Sequence, residues 1–142
     1  MKIFNDSIRL QTSKKTEDVN ITDLVEAIVL ESRVTEGTVH IFTGHTTTSV
    51  HLNNTDPDLT KDFHDFLSEL IPNSPSYRHN KGEYGSNADA HFKSLLVGNG
   101  VIVPITKGKL ALGQWQAIYF SEFDGPRNRL MAVKIIGIAS HH

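Results

Sequence analysis

Gly44-His45-Thr46-Thr47-Thr48-Ser49 places one imidazole beside four hydroxyls. Imidazole ligates metals or moves protons near neutral pH. Hydroxyls and backbone N–H groups in an irregular turn suit an oxyanion or a phosphate. The competing reading is a bulged strand whose threonines reflect β propensity alone. Two further histidines stand in polar surroundings. His79 lies in a loop, and His91 follows Asn87 by one helical turn. Their spacing matches no local metal motif. Three histidines meeting in space would make a zinc-type site with an open fourth position, able to polarise an oxygen or acidify bound water. A histidine beside Phe92 and Leu95 also reads as an ordinary core residue.

A third cluster holds Gln116, Glu122, Asp124, Arg127 and Arg129. Gln116 and Glu122 share strand parity with Ile118 and Phe120. Glu122 is therefore expected to face inward, as a base, a ligand or the partner of one. Asp124 and Arg129 read as an exposed salt bridge at a solvated strand end. Lys93 and Ser94, after His91, can contact a phosphate. His40, His51 and His64 receive no role, and His64 is expected at the surface, off the apolar stripe of its helix. His141 and His142 end the sequence and are also given none.

Composition narrows the chemistry. The chain has no cysteine, which excludes disulfides, thiolate metal sites and cysteine nucleophiles and fits a cytoplasmic protein. The formal charge is −2 with signs interspersed, so no basic stripe points to nucleic acid. No apolar run approaches the roughly 18 residues of a spanning helix, and MKIFNDSIRL lacks a signal-peptide core, so no membrane partner is expected. Gly98-Asn99-Gly100 lacks the third glycine of a dinucleotide loop and precedes a strand. There is no phosphate loop ending in Gly-Lys-Ser/Thr, no His-Glu-x-x-His and no Gly-x-Ser-x-Gly.

The elements that must position these residues follow from periodicity. At 142 residues the sequence predicts one domain spanning 1–142. Lys2–Thr12 reads as an opening strand and Ser13–Asn20 as a polar connection. A helix is predicted over Asp23–Arg33, capped by Thr22. Strands are predicted over Thr38–Thr43 and Ser49–Leu52. Asp56-Pro57-Asp58 starts a helix whose stripe is Leu59, Phe63, Phe66, Leu67 and Leu70, and Pro72 ends it. Asn73–Ser86 is a long polar loop of the kind that often carries function. Asn87 is expected to cap a short helix through Val97 that turns Ala88, His91, Phe92, Leu95 and Leu96 inward. Val101–Thr106, Lys109–Leu112, Trp115–Phe123 and Leu130–Ala139 read as strands. Trp115–Phe123 is apolar on both parities, as in a central covered strand or at a subunit interface. The class is α+β, mostly antiparallel sheets forming a sandwich-like core with two or three helices.

Six blocks occur together in one order: His45-Thr46-Thr47-Thr48-Ser49, Asp56-Pro57-Asp58, Tyr77-Arg78-His79, Asn87-Ala88-Asp89-Ala90-His91-Phe92-Lys93-Ser94, Gly108 through Gln116, and Glu122-Phe123-Asp124-Gly125-Pro126-Arg127. Together they resemble the YjbQ-like family, named as secondary thiamine-phosphate synthases, over roughly Ile8 to Gly137. The resemblance implies an α+β fold with sandwiched sheets, assembled as a homotrimer. It implies a site near the subunit boundary built from His45, His79 and His91, holding a divalent metal (zinc or magnesium) or an anion, with Glu122 at the family's acidic position. It implies a weak activity joining a pyrimidine pyrophosphate to a thiazole phosphate. Thr46, Lys93, Ser94, Gln116 and Arg127 would then contact a small phosphorylated metabolite. The alternatives are a zinc-dependent hydrolase and a non-catalytic trimeric metabolite-binding module. The sequence departs from the family pattern at His51-Leu52-Asn53-Asn54-Thr55, which is one residue short and lacks the glutamate of Asn-Glu-Asn, and at Gln114, where threonine is commoner.

Overall fold

The computed structural model describes residues 1–139, so His141 and His142 lie outside the described residues. Eight strands and three α-helices follow in the order β1 (Lys2–Gln11), β2 (Glu17–Asn20), α1 (Thr22–Ser32), β3 (Val34–Thr43), β4 (Thr48–Asn54), α2 (Pro57–Leu70), α3 (Ala88–Val97), β5 (Gly100–Thr106), β6 (Lys109–Leu110), β7 (Gln116–Glu122) and β8 (Asn128–Ala139), with a 3-10 turn at Arg78–Lys81 before α3. The fold is α+β with antiparallel sheets, as the pattern predicts. One sheet has the order β1-β8-β3-β5-β6 and the other β2-β7-β4.

Alternation decides which faces meet. Val39 and Ile41 on β3, Val103 and Ile105 on β5, and Met131, Val133 and Ile135 on β8 all point to one side. They pack on Val50, Ile118 and Phe120 of the smaller sheet, and Val25, Ile28 and Val29 of α1 close the core. β3 and β8 approach closely where Gly37 faces Gly137. A Cβ on Gly37 would lie 2.1 Å from the Ile136 carbonyl oxygen, so only glycine fits there.

The outer face of the smaller sheet is polar and carries α2 and α3. Leu67 of α2, Ala90 of α3 and Phe123 form a second small core there, with Phe63 and Val97 against it. Asp56 caps α2 by accepting the Asp58 N–H at 3.0 Å, and Pro57 occupies the first turn, as expected.

Several elements differ from the sequence reading. The segment read as a connection contains β2, a four-residue edge strand whose single apolar residue, Val19, packs against the core. Of the α2 stripe only Leu67 is buried. The α3 helix is turned about its axis relative to expectation: Asp89, Ala90, Lys93 and Ser94 face inward, whereas Phe92, Leu95 and Leu96 are exposed. The Ser94 hydroxyl donates to the Thr48 carbonyl at 2.6 Å and so fixes the helix on β4. Thr22 does not cap α1 through its side chain; its hydroxyl accepts the Ile118 N–H of β7. No helix among the described residues is long and apolar enough to cross a membrane.

Candidate functional site

The turn between β3 and β4, the loop after α2 and the first turns of α3 meet over one end of the smaller sheet. They enclose a cleft of about 470 Å³ lined by His45, Thr46, His79, His91, Arg127 and Arg129. The three histidines separated in sequence thus share one cleft. The imidazoles of His79 and His91 meet edge-on with centroids 4.9 Å apart. A neighbouring depression of about 450 Å³, containing Phe42 and Leu95, also opens on His45 and His91.

Each histidine is held differently. His45 Nε2 accepts the Leu130 backbone N–H at 3.0 Å. That bond assigns the ring hydrogen of neutral His45 to Nδ1, making Nδ1 a donor. His79 Nε2 lies 2.7 Å from Asn87 Oδ1, an acceptor, so here Nε2 carries the hydrogen. The His91 ring makes no hydrogen bond among the described residues.

Behind the cleft lies a buried ion pair. Arg129 donates from Nε to Glu122 Oε1 at 2.7 Å and from Nη2 to Oε2 at 2.5 Å. Nη2 also donates to the Thr47 hydroxyl at 2.9 Å. Glu122 further accepts from the Thr12 hydroxyl and from the Asp124 N–H. Burial pushes the Glu122 carboxyl up, but the hydrogen bonds from Arg129, the Asp124 N–H and Thr12, together with the arginine charge, outweigh it and hold the carboxyl below its ordinary value. Glu122 is inward, as parity predicts. With both oxygens committed, it is an anchor for Arg129 rather than a free base. Arg129, expected at the surface, is buried for the same reason. Its Nη1 makes no hydrogen bond among the described residues, and Arg129 lines both this cleft and a depression beside Arg9 and Gln11.

The other candidates separate. Arg127 is on the rim, paired with Asp124 through Nη2 to Oδ2 at 3.2 Å. Thr46 is exposed on the same cleft. Ser94 reaches only the neighbouring depression. Lys93 turns inward with Asp89, Nζ to Oδ2 at 3.8 Å, and lines neither depression. Gln116 stands at the opposite end of β7 from Glu122, roughly 20 Å away by strand rise, with its Oε1 accepting the Gly113 N–H. Asn53 and Asn54 stand at the end of β4 away from Thr48, and both amide oxygens accept local backbone N–H groups.

Among the described residues no group of three histidine or acidic side chains is placed to hold a metal. Of the three imidazoles, His45 spends Nε2 on the Leu130 N–H and His79 spends Nε2–H on Asn87, while His79 Nδ1 and the His91 ring carry no hydrogen bond among the described residues. The cleft residues His45, Arg127 and Arg129 carry N–H donors, and His79 carries an open lone pair at Nδ1.

Sequence reasoning missed Asn87 and assigned Asp124 to solvent. Asn87 Nδ2 donates to Asp124 Oδ2 at 2.7 Å, linking the His79 loop to the turn after β7. The signal was the Asn in the helix-start block, which read as a cap. It also missed the pairing on the outer sheet face of Asp18 with His64, at 2.6 Å, and with the Ser121 hydroxyl. His64 is half-buried by that contact, not at the surface.

The chain as a whole is similar to a known set of proteins. The sequence model of the family described as UPF0047 protein YjbQ-like matches residues 6–138. A UPF0047 protein of Archaeoglobus fulgidus is 46% identical, over 91% of this chain and 98% of its own. The UPF0047 protein YugU of Bacillus subtilis is 40% identical, over 92% and 98%. A crystal structure from Sulfolobus solfataricus P2, of a YbjQ-like protein of unknown function, superposes with a TM-score of 0.92 at 36% identity, covering 96% of this chain and 99% of that one. With the cleft and its flanking blocks inside the matched region, the chain belongs to the UPF0047, YjbQ-like family.

Proposed function

We propose that this protein is an enzyme acting on a small phosphorylated metabolite, bound as an anion in the His45–His79–His91 cleft. The observation that carries the reading is Arg129. A guanidinium is buried in the cleft wall, locked by Glu122 and Thr47, and its Nη1 is left with donors to spare. A pre-set donor stabilises phosphate charge without reorganising during reaction. Arg127 on the rim and His45 Nδ1–H add donors of the same kind.

The reaction that the family resemblance implies is thiamine-phosphate formation. The thiazole nitrogen bonds to the pyrimidine methylene carbon as that carbon's bond to oxygen breaks, and pyrophosphate leaves with the electron pair. Holding two anions and stabilising the leaving group would supply most of the acceleration. The protein's donors suit that task, with the metabolite's own phosphates as their targets.

The assembly we propose is a homotrimer. The outer face of the larger sheet exposes Phe42, Ile102 and Ile138, and Trp115 is 63% exposed. An uncovered apolar surface of this kind marks an interface. A partner's residues would also explain why family-block residues such as Gln116 lie far from the cleft of their own chain.

The test measures pyrophosphate binding by calorimetry and thiamine-phosphate formation by product assay. Arg127→Ala weakens pyrophosphate binding at least about tenfold. The triple variant His45→Ala, His79→Ala, His91→Ala abolishes turnover. Full activity in that triple variant sinks the reading, and binding without turnover in the unmodified protein makes it a metabolite-binding module.

A further inference from the structure

We propose that Asn87 is a positioning residue that fixes His79 as the tautomer protonated at Nε2, leaving its Nδ1 as the basic atom available in the cleft. The relevance of that atom rests on the anion-cleft reading above; the tautomer itself does not.

Asn87 precedes α3 at the position where an asparagine normally accepts a helix N–H. Its side chain makes no such bond. Asn80, from the 3-10 turn, satisfies a different free donor of this helix end, its Oδ1 receiving the Ala88 N–H at 3.0 Å. The Asn87 amide is free for another task. Its Nδ2 donates to Asp124 Oδ2, and its Oδ1 faces His79 Nε2, each at 2.7 Å.

The two contacts settle the direction of the amide. A carboxylate has only lone pairs to offer, so the NH₂ group must face Asp124 and the oxygen must face His79. The Asp124 carboxylate is itself held by Arg127 Nη2. An acceptor against Nε2 requires a hydrogen there, and a neutral imidazole carries only one. Nδ1 is then bare, and no hydrogen bond occupies it among the described residues.

The consequence is directional. A donor N–H or O–H on a bound ligand therefore meets its acceptor at Nδ1. The ring keeps its Nε2–H on Asn87, whose amide is held from behind by Asp124. Arg127 shares the same Asp124 oxygen, so an anion that draws Arg127 away also alters the charge behind His79. Asn87 touches neither substrate nor reacting atoms; it acts through the ring.

The experiment is nitrogen-15 NMR of histidine-labelled protein at about pH 8, above the ordinary histidine range. The expected result is a His79 spectrum with a protonated Nε2 and a bare Nδ1. Asn87→Ala moves both nitrogens to the averaged positions of mixed tautomers, while the His91 signals keep their pattern. Asp124→Asn preserves shape but removes the group that orients the amide. It shifts His79 in the same direction by a smaller amount, and it carries the test if the first variant fails to fold. A His79 protonated at Nδ1 in the unmodified protein, or an unchanged tautomer in both variants, overturns the proposal. Failure of pyrophosphate binding would instead remove the functional reading and leave this spectrum intact.

Discussion

Arg129 and Glu122 meet in a buried fork: Nε reaches Oε1 at 2.7 Å, Nη2 reaches Oε2 at 2.5 Å, and Glu122 is 0% exposed. Paired planar groups in this geometry share two charge-assisted hydrogen bonds. The pair joins the end of β7 to the start of β8 and sets Thr47 of the histidine turn against them. It is therefore the element through which the core of the smaller sheet places the cleft.

Removing one partner of such a pair strands the other charge. Glu122→Gln keeps the shape but removes the carboxylate, and the expected loss is about 3–5 kcal/mol. The pH dependence has a definite sign. The folded carboxyl is held below its unfolded value, so its contribution is complete above that value and is lost as pH falls through the folded one. Chemical denaturation should show the variant uniformly weaker near neutrality, with the difference from the unmodified protein shrinking in acid. A variant within about 1 kcal/mol of the parent at pH 7 would mean that Arg129 finds another partner.

The sheet pattern was readable because strands report burial at period two. Met131, Val133 and Ile135 alternate with exposed neighbours and so declare both strand and face. The α3 helix was not readable in that way. Its inward side carries Asp89, Lys93 and Ser94, which find partners in each other and in Thr48, whereas its leucines face out. A stripe rule reads hydrophobicity, and it fails where polar side chains turn inward and apolar ones are left at a surface. The site was half-legible for a related reason. His45, His79 and His91 are conspicuous residue types, but their meeting depends on loop geometry. The purposes of Glu122 and Asn87 depend on partners across 7 and 37 residues that no local pattern encodes.

The exposed face of the larger sheet gives a second prediction. His40 pairs with Ile102 and Phe42 with Gly100, which makes Phe42 and Ile102 diagonal neighbours on the outer side of β3 and β5. They are 50% and 62% exposed. If that face lies between copies of the chain, Ile102→Lys buries a charge at the contact and not in the core. Sedimentation is expected to show a trimer for the parent and a monomer for the variant, with unchanged far-ultraviolet circular dichroism. A parent that sediments as a monomer at micromolar concentration would remove the trimer, and a variant that stays trimeric would place the contact elsewhere.

His51 supplies the remaining pH handle. Its ring stacks on Tyr119 and tilts against Phe63, while Nδ1 lies 3.1 Å from the Ser49 hydroxyl. Burial lowers its pKa, the Asp18 charge opposes that effect, and His64 adds to it, leaving the folded value below 6.5. A histidine with a depressed folded value binds its proton more readily when unfolded. Stability is thus complete above about pH 6.5 and erodes as pH falls from there to the folded value, below which this group costs nothing further. Asp18, His64 and the Ser49 hydroxyl are the polar groups facing this ring from β2, α2 and β4, and Asp18 and His64 are paired with each other at 2.6 Å. The informative quantity is therefore the difference between the parent and His51→Phe, which keeps an aromatic ring between Phe63 and Tyr119. Urea midpoints measured from pH 7.5 to 5 should fall more steeply for the parent. Parallel curves would show that His51 takes up its proton without cost in the folded protein.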